Sequence, residues 1–560
     1  MIAECKECHK NFELSQKDLD FFERIAPIFN GKKYPLLLKM CPDCRQQRRL
    51  SFRNERTFYK RKCDLTNKDI ISFYPANSPY KVYESKAWWS DDWDPMQYGQ
   101  DYDLSKPFFA QFDELLKAVP HFAMMVSDKS ENSDFCPYSI AFKNSYMCVS
   151  GGYSESCHYC FWTNFSRDCV DCYGCSRCEL CYECVECDNL YGSIFCKDSG
   201  NSSDLYFCND CRGCQNCIGC FGLRNKQYHI FNQPVSKSEY EDFLKNLQSG
   251  RGELQKMELK TKDFFAPFPH VASQMVNCEN CSGDYLRNSK NSDHCYHADG
   301  IEDCAYCWNI PAGAKDCQDI NYSKGELLYN CMSAVDAFNC FNVIHSWNIH
   351  DVYYSFETFY SDHCFGCVGL KHKKFCILNK QYSEEEYNKL VPKIIEQMRK
   401  SQHTADGVSA EEWGDFFPSQ ISPFAYNETI AQDYFPLDKN ATLAKGLHWV
   451  EPDLKEYQPS KIAIPDQIQT VPDSITQEIL ACEDCGKNYK IIPQELKFYR
   501  KLQLPIPRKC SDCRHKTREG QLNPRRLLER NCHQCKTKIQ TTYADERPVY
   551  CNSCYLKLIY

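Results

Sequence analysis

The chain has 560 residues, enough for several domains, and 41 of them are cysteine, a share that implies stapling by metal or disulfide. Its net charge of −8 is uneven: residues 1–62 carry 15 Lys/Arg against 8 Asp/Glu, residues 482–560 carry 17 against 8, and the middle is left at −24. No signal-peptide pattern opens the sequence and no apolar run approaches the roughly 18 residues of a membrane span; the expectation is a cytoplasmic protein with no membrane partner, whose CxxC pairs are reduced and hold metal.

Residues 1–62 read as a treble-clef-like zinc ribbon. Cys5/Cys8 and Cys41/Cys44 are two CxxC knuckles, each offering two thiolates, and two knuckles complete the tetrahedral set of soft ligands that Zn2+ takes. Pro42, directly behind Cys41, predicts a helix with proline in its first turn. Residues 63–131, with "YESKAWWSDDWDPMQYGQDYD", read as an aromatic and acidic connector whose rings pack while its acids stay solvated, in preference to a sugar or cation site.

The middle is a duplication. At an offset of 147, residues 217–244 match 364–391, 143–148 match 290–295 and 157–160 match 304–307. The expected organisation is a first cysteine-rich copy with a closing helix over 132–247, a linker over 248–278, and a second such copy over 279–400. The densest stretch, "CVDCYGCSRCELCYECVEC" from Cys169 to Cys187, admits packing, additional thiophilic metal, or iron–sulfur and redox chemistry. At the same offset Cys172 becomes Asp319, Cys175 Tyr322, Cys178 Gly325, Cys181 Leu328, Cys187 Ala334 and Cys196 Val343, so no cluster survives in the second copy. The C-x2-C-x2-C-x3-C-P spacing of a ferredoxin cluster is also missing. Packing is the preferred reading, with cysteine acting as a compact hydrophobe inside a parallel β-solenoid. Asp, Asn and Gly, frequent just before a cysteine, suit tight corners. Ser236/Glu239 and Ser383/Glu386 are capping boxes opening the closing helices.

Residues 401–451 read as a small connector with a helix near 438–446, and 452–481, with Pro452, Pro459, Pro465 and Pro472, as an extended linker that lets the C-terminal modules move. A second treble-clef-like module spans 482–530 through Cys482, Cys485, Cys510 and Cys513. A C-terminal zinc ribbon spans 531–560 through Cys532, Cys535, Cys551 and Cys554. The first and second modules share Lys10/Lys487, Phe12/Tyr489, the pairs Phe21/Phe22 and Phe498/Tyr499, and Arg45/Arg514 directly behind the last ligand. The fold class expected is mainly β and multidomain, with treble-clef and zinc-ribbon modules at both ends of a duplicated solenoid-like middle capped by helices.

The C-x2-C-x-x-x-F … C-P-x-C-R module resembles a probable zinc-ribbon family, treble-clef-like and common in bacteria of candidate phyla. The whole arrangement is similar to uncharacterised proteins of those bacteria, in which such modules flank a cysteine-rich repeat containing segments like "NKQYSEEEY". The resemblance implies zinc and a bacterial cytoplasm, and it brings no activity.

No phosphate loop, dinucleotide fingerprint, nucleophile elbow or HExxH is present, so no enzymatic activity is expected. His9, His515 and His533 read as neighbours of the metal sets, not ligands. The leading function is a non-enzymatic zinc protein that binds RNA or DNA through residues 1–62 and 482–560. Arg48, Arg49, Arg525 and Arg526 would meet phosphates, with Arg45 and Arg514 held outward by the knuckles. The alternatives are basic ends docked on the acidic middle, a scaffold binding protein partners through the repeat, and a thiol-rich metal store or redox protein centred on 169–220.

Overall fold

The computed structural model describes the whole chain except residues 37, 128, 312, 322–324, 327–328, 336, 339–340, 401–411, 452–455 and 560. It is multidomain and dominated by short strands. Two compact units form from discontinuous pieces. Met1–Met124, Ser273–Glu451 and Arg525–Leu527 make the first; Met125–Ala272, Pro452–Pro524 and Leu528–Tyr560 make the second.

In the second unit the chain pairs in parallel with itself twelve residues on: Tyr146 with His158, His158 with Val170, Val170 with Tyr182, Tyr182 with Ile194 and Ile194 with Tyr206. Each group of three residues has one job per position. One side chain is buried, one points away, and one backbone turns left-handed. The buried position recurs as Cys136, Cys148, Cys160, Cys172, Cys184, Cys196, Cys208 and Cys220, one per twelve residues and none more than 1% exposed. From Cys148 on, the residue before each buried one has positive φ, as at Asp168 (49°), Asp171 (55°), Gly174 (65°), Arg177 (54°), Leu180 (55°) and Glu183 (51°). That conformation costs a non-glycine residue about 1–2 kcal/mol. The turned amide offsets it with a bond to the carbonyl thirteen residues back, as in Asp168 to Glu155 and Asp171 to His158, both 3.0 Å. Asp, Asn and Gly before cysteine do mark the corners, and so do Arg, Leu and Glu.

The cysteine sulfurs fill this interior as thiols. Cys172 Sγ lies 3.6 Å from both the Val170 and the Cys181 carbonyl oxygens, and Cys184 Sγ lies 3.6 Å from Tyr182 O and 3.4 Å from Ser193 O. A carbonyl-lined thiol donates a weak S–H bond.

The first unit repeats the pattern with irregular spacing. Tyr296 pairs twelve residues on with Trp308, Ile301 thirteen on with Ala314, and Gln318 eleven on with Tyr329. Regular twelves return at Val352, Cys364 and Cys376. The extra residue lies between Ile310 and Ala314, and a later shortening cancels it. The constant offset of 147 therefore fails over 314–321. Cys169 corresponds to Cys317, Asp171 to Asp319, and Cys172 to Ile320, not to Asp319. Ile320, like Ala334 at the Cys187 position, is buried, which bears out cysteine as a small hydrophobe here. Tyr322 and Leu328 lie outside the described residues.

Both closing helices start at their capping boxes. Ser236 Oγ accepts from Glu239 N at 3.2 Å while Glu239 Oε2 accepts from Ser236 N at 2.7 Å, opening Lys237–Leu247. Ser383 and Glu386 do the same for Glu384–Lys400. In the connector Trp88 is fully buried while Asp91 and Asp92 are exposed. The expected helix near 438–446 is Lys439–Ala444. The expected mobile linker packs instead: Ile468, Val471 and Ile475 are at most 3% exposed and share a core with Leu496 and Tyr499 of the second module.

Candidate metal centres

The structure gathers the twelve terminal cysteines into three sets of four. Within each set all four Sγ atoms lie within 4.8 Å of one another. In the first, Cys5 and Cys8 sit on the turn between the strands Ile2–Glu4 and Asn11–Glu13; Cys41 is the N-cap of the helix Pro42–Leu50, and Cys44 is in its first turn. Proline at the first helical position costs no hydrogen bond there and pre-sets the φ that starts the helix. The N-cap sulfur makes no capping bond, which leaves it for the set. In the second set Cys510 and Cys513 occupy the same places on the helix Ser511–Glu519. The third hangs on the hairpin Leu528–Asn531/Lys538–Thr541 and the helix Asn552–Ile559.

The donor geometry fits a tetrahedral ion. With metal–sulfur bonds of about 2.3 Å, the sulfurs of a tetrahedron stand about 3.8 Å apart. Cys8–Cys41 is 3.8 Å, Cys485–Cys510 is 3.7 Å and Cys535–Cys551 is 3.8 Å. Backbone N–H groups point at sulfur: Cys41 N to Cys5 Sγ and Cys551 N to Cys532 Sγ, each 3.3 Å. The hydrogen bond from Cys44 holds the Cys41 thiol down at about 5. Burial pushes Cys532 up, but the amides of Cys551 and Cys535 outweigh it and leave about 6. Each set offers four sulfur donors, with no carboxylate or imidazole among them.

Among the described residues no further group of three such ligands comes this close. Cys169, Cys172, Cys175, Cys178, Cys181, Cys184 and Cys187 are buried together in the interior of the repeat.

The helix behind each of the first two sets is docked by its arginines. In the first unit Arg45 Nε donates to Asp319 Oδ2, Arg45 Nη2 reaches Asp319 Oδ1 at 3.3 Å, and Arg49 Nη1 stands 3.5 Å from the same carboxylate. In the second, Arg514 Nε is 2.8 Å and Arg518 Nη1 3.0 Å from Asp171. The first arginine of each pair also caps the carbonyl five residues back (Met40, Lys509) and lies over a tyrosine ring, Tyr306 at 5.5 Å and Tyr159 at 4.9 Å. Both sites thus use equivalent positions of the two repeats.

This corrects an expectation. Arg45 and Arg514 are 1% and 5% exposed and face inward, because a planar guanidinium finds a carboxylate and a ring there. Arg49 is fully buried; Arg48 pairs with Glu7 at 2.9 Å; Arg525 lies over Trp308 and Tyr434. Of the four arginines named for phosphate contact only Arg526 is exposed. His9 and His533 are exposed neighbours of their sets, as expected, whereas His515 is buried against Phe161 at 5.0 Å.

The docking aspartates were missed, although a signal existed. "CRQQRR" and "CRHKTR" both place Arg at i and i+4, one helix face, and "RDCVDC" aligns with "KDCQDI" at an offset of 148. Comparison with protein-family models and with curated proteins returns no match for this chain.

Proposed function

We propose that this is a non-enzymatic zinc scaffold: two parallel β-solenoids, each clamped by a treble-clef-like zinc module, with a further zinc ribbon at the C-terminal end. The observation that carries it is the repeated docking, in which two arginines behind a tetrathiolate set are spent on an aspartate of the repeat. Parallel pairing at twelve-residue spacing in the second unit, and at eleven to thirteen residues in the first, supports the solenoid, and the sulfur spacings support zinc. Every described cysteine is a free thiol, which suits a reducing compartment such as the cytoplasm. No helix of the described residues is long and apolar enough to cross a membrane. The solvent-facing pair Tyr153 and Phe165, 59% and 60% exposed and stacked at 5.3 Å, supports a protein partner on the repeat.

A nucleic-acid role would rest on exposed cations such as Lys10 and Lys17 of the first module and Arg526, Lys536, Lys538 and Lys557 near the C-terminal end. Titrating the intact metal-loaded chain with single-stranded RNA and duplex DNA at about 0.15 M salt separates the two. The scaffold reading expects no saturable binding. Saturable binding whose log affinity falls linearly with log salt would replace it with the nucleic-acid reading.

A further inference from the structure

The two docking sites differ beside the second arginine. Beside Arg49 stands Asn330, whose Oδ1 is 3.2 Å away; at the equivalent position beside Arg518 stands Glu183, 3.1 Å away. Docking is thus made in the first unit without a carboxylate there. In the second unit that carboxylate lines a cavity of about 230 Å³. One wall is an aromatic ladder, with Phe195 and Phe207 stacked at 4.6 Å and Tyr182 edge-on to Phe195 at 5.4 Å. Leu504–Pro507 also lines the cavity.

Basic residues line the same cavity. Arg251 and Arg508 are each 23% exposed and Lys509 38%. Their partners are surface acids: Arg251 with Glu483 at 2.6 Å, Arg508 with Asp466 at 3.5 Å and Glu483 at 3.6 Å, Lys509 with Asp484 at 2.8 Å. Such partly exposed pairs are worth little and yield to a better anion. Arg508 Nε is buried with no hydrogen-bond partner among the described residues.

We propose that this cavity binds a free purine mononucleotide of the guanine type. The base lies against Phe195 and Phe207, its adjacent N–H donors meet Glu183, and its phosphate meets Arg251, Arg508 and Lys509. A carboxylate accepts two parallel N–H bonds, and the guanine edge presents two; adenine does not. Burial pushes the Glu183 carboxyl up to about 7, against the pull of Arg518, and paired donors would restore its charge.

The test is calorimetric titration of the intact metal-loaded chain with guanosine 5′-monophosphate. Saturable binding is expected, with adenosine 5′-monophosphate weaker by about tenfold or more, the scale of one lost charge-assisted hydrogen bond. Glu183→Asn, which installs the side chain that the other unit carries at this place, should lose about tenfold for the guanine nucleotide and little for the adenine one. Arg508→Ala should weaken the nucleotide while leaving guanosine unchanged. No saturable binding to the wild-type chain overturns the proposal, as does equal affinity for both nucleotides or for inorganic phosphate alone. Tighter binding of the dinucleotide GpU would equally exclude a free mononucleotide as the ligand.

Discussion

Asp171 and Asp319 show what a single residue decides. Each carries a buried carboxylate between two arginines; neutralising Asp319 strands Arg45 and Arg49 in the core, whereas without Asp171 Arg514 keeps Glu495 at 3.4 Å and Arg518 keeps Glu183 at 3.1 Å. Removing one partner of a buried pair costs about 3–5 kcal/mol. Asp319→Asn should lower stability by that order in chemical denaturation and Asp171→Asn by less, with metal content unchanged; a loss under about 1 kcal/mol for Asp319→Asn would leave the docking without an energetic role. His158, one turn of the repeat before Val170, adds a pH dependence. Burial pushes its imidazole down to about 4, against Asp171, and its Nδ1 has no hydrogen-bond partner among the described residues. A folded value below the unfolded one of about 6.5 means that stability is complete above pH 6.5 and is lost as pH falls toward 4, by about 3 kcal/mol. His158→Gln should flatten that part of the stability profile; an unchanged slope would assign it to other groups. The cysteine ligands were legible because CxxC is local. The aspartates were not, because their partners lie 274 and 343 residues away in sequence and their equivalence depends on a register shift.

At the scale of elements, local rules read well and spacing read imperfectly. Both capping boxes, the proline-started helix at Cys41 and the helix at Lys439–Ala444 follow from neighbours within four residues. Arg177, Leu180 and Glu183 in left-handed conformation contradict intrinsic preference, and only the twelve-residue ladder holds them there. The extra residue near Gly313 and its later compensation lie so close together that flanking matches keep one offset and hide the slip. The packed thiols carry their own test. Cys175→Ala and Cys181→Leu should leave metal content unchanged and cost about 1–3 kcal/mol, since Leu205 already occupies the column of Cys181 two repeats on. Loss of a metal equivalent in either variant would return the stretch to the metal-binding reading.

For the molecule as a whole, the duplication is larger than the repeat. Each unit pairs one cysteine-rich repeat with one four-cysteine module docked by arginines, and the second unit adds the C-terminal set. The charge pattern foretold this in outline: basic ends and an acidic middle suit self-docking as well as they suit phosphate, and the deciding fact is where Arg45 and Arg514 point. Composition alone could not choose, because a guanidinium serves either partner equally. The division of labour among the 41 cysteines is the claim on which the rest stands: twelve hold metal and those of the repeats pack as thiols. Elemental analysis of the purified full-length chain, zinc and iron together, tests it most directly. The expected result is three zinc ions per chain and no iron, matching the three sets. Four or more metal ions per chain, or iron in place of zinc, would contradict it.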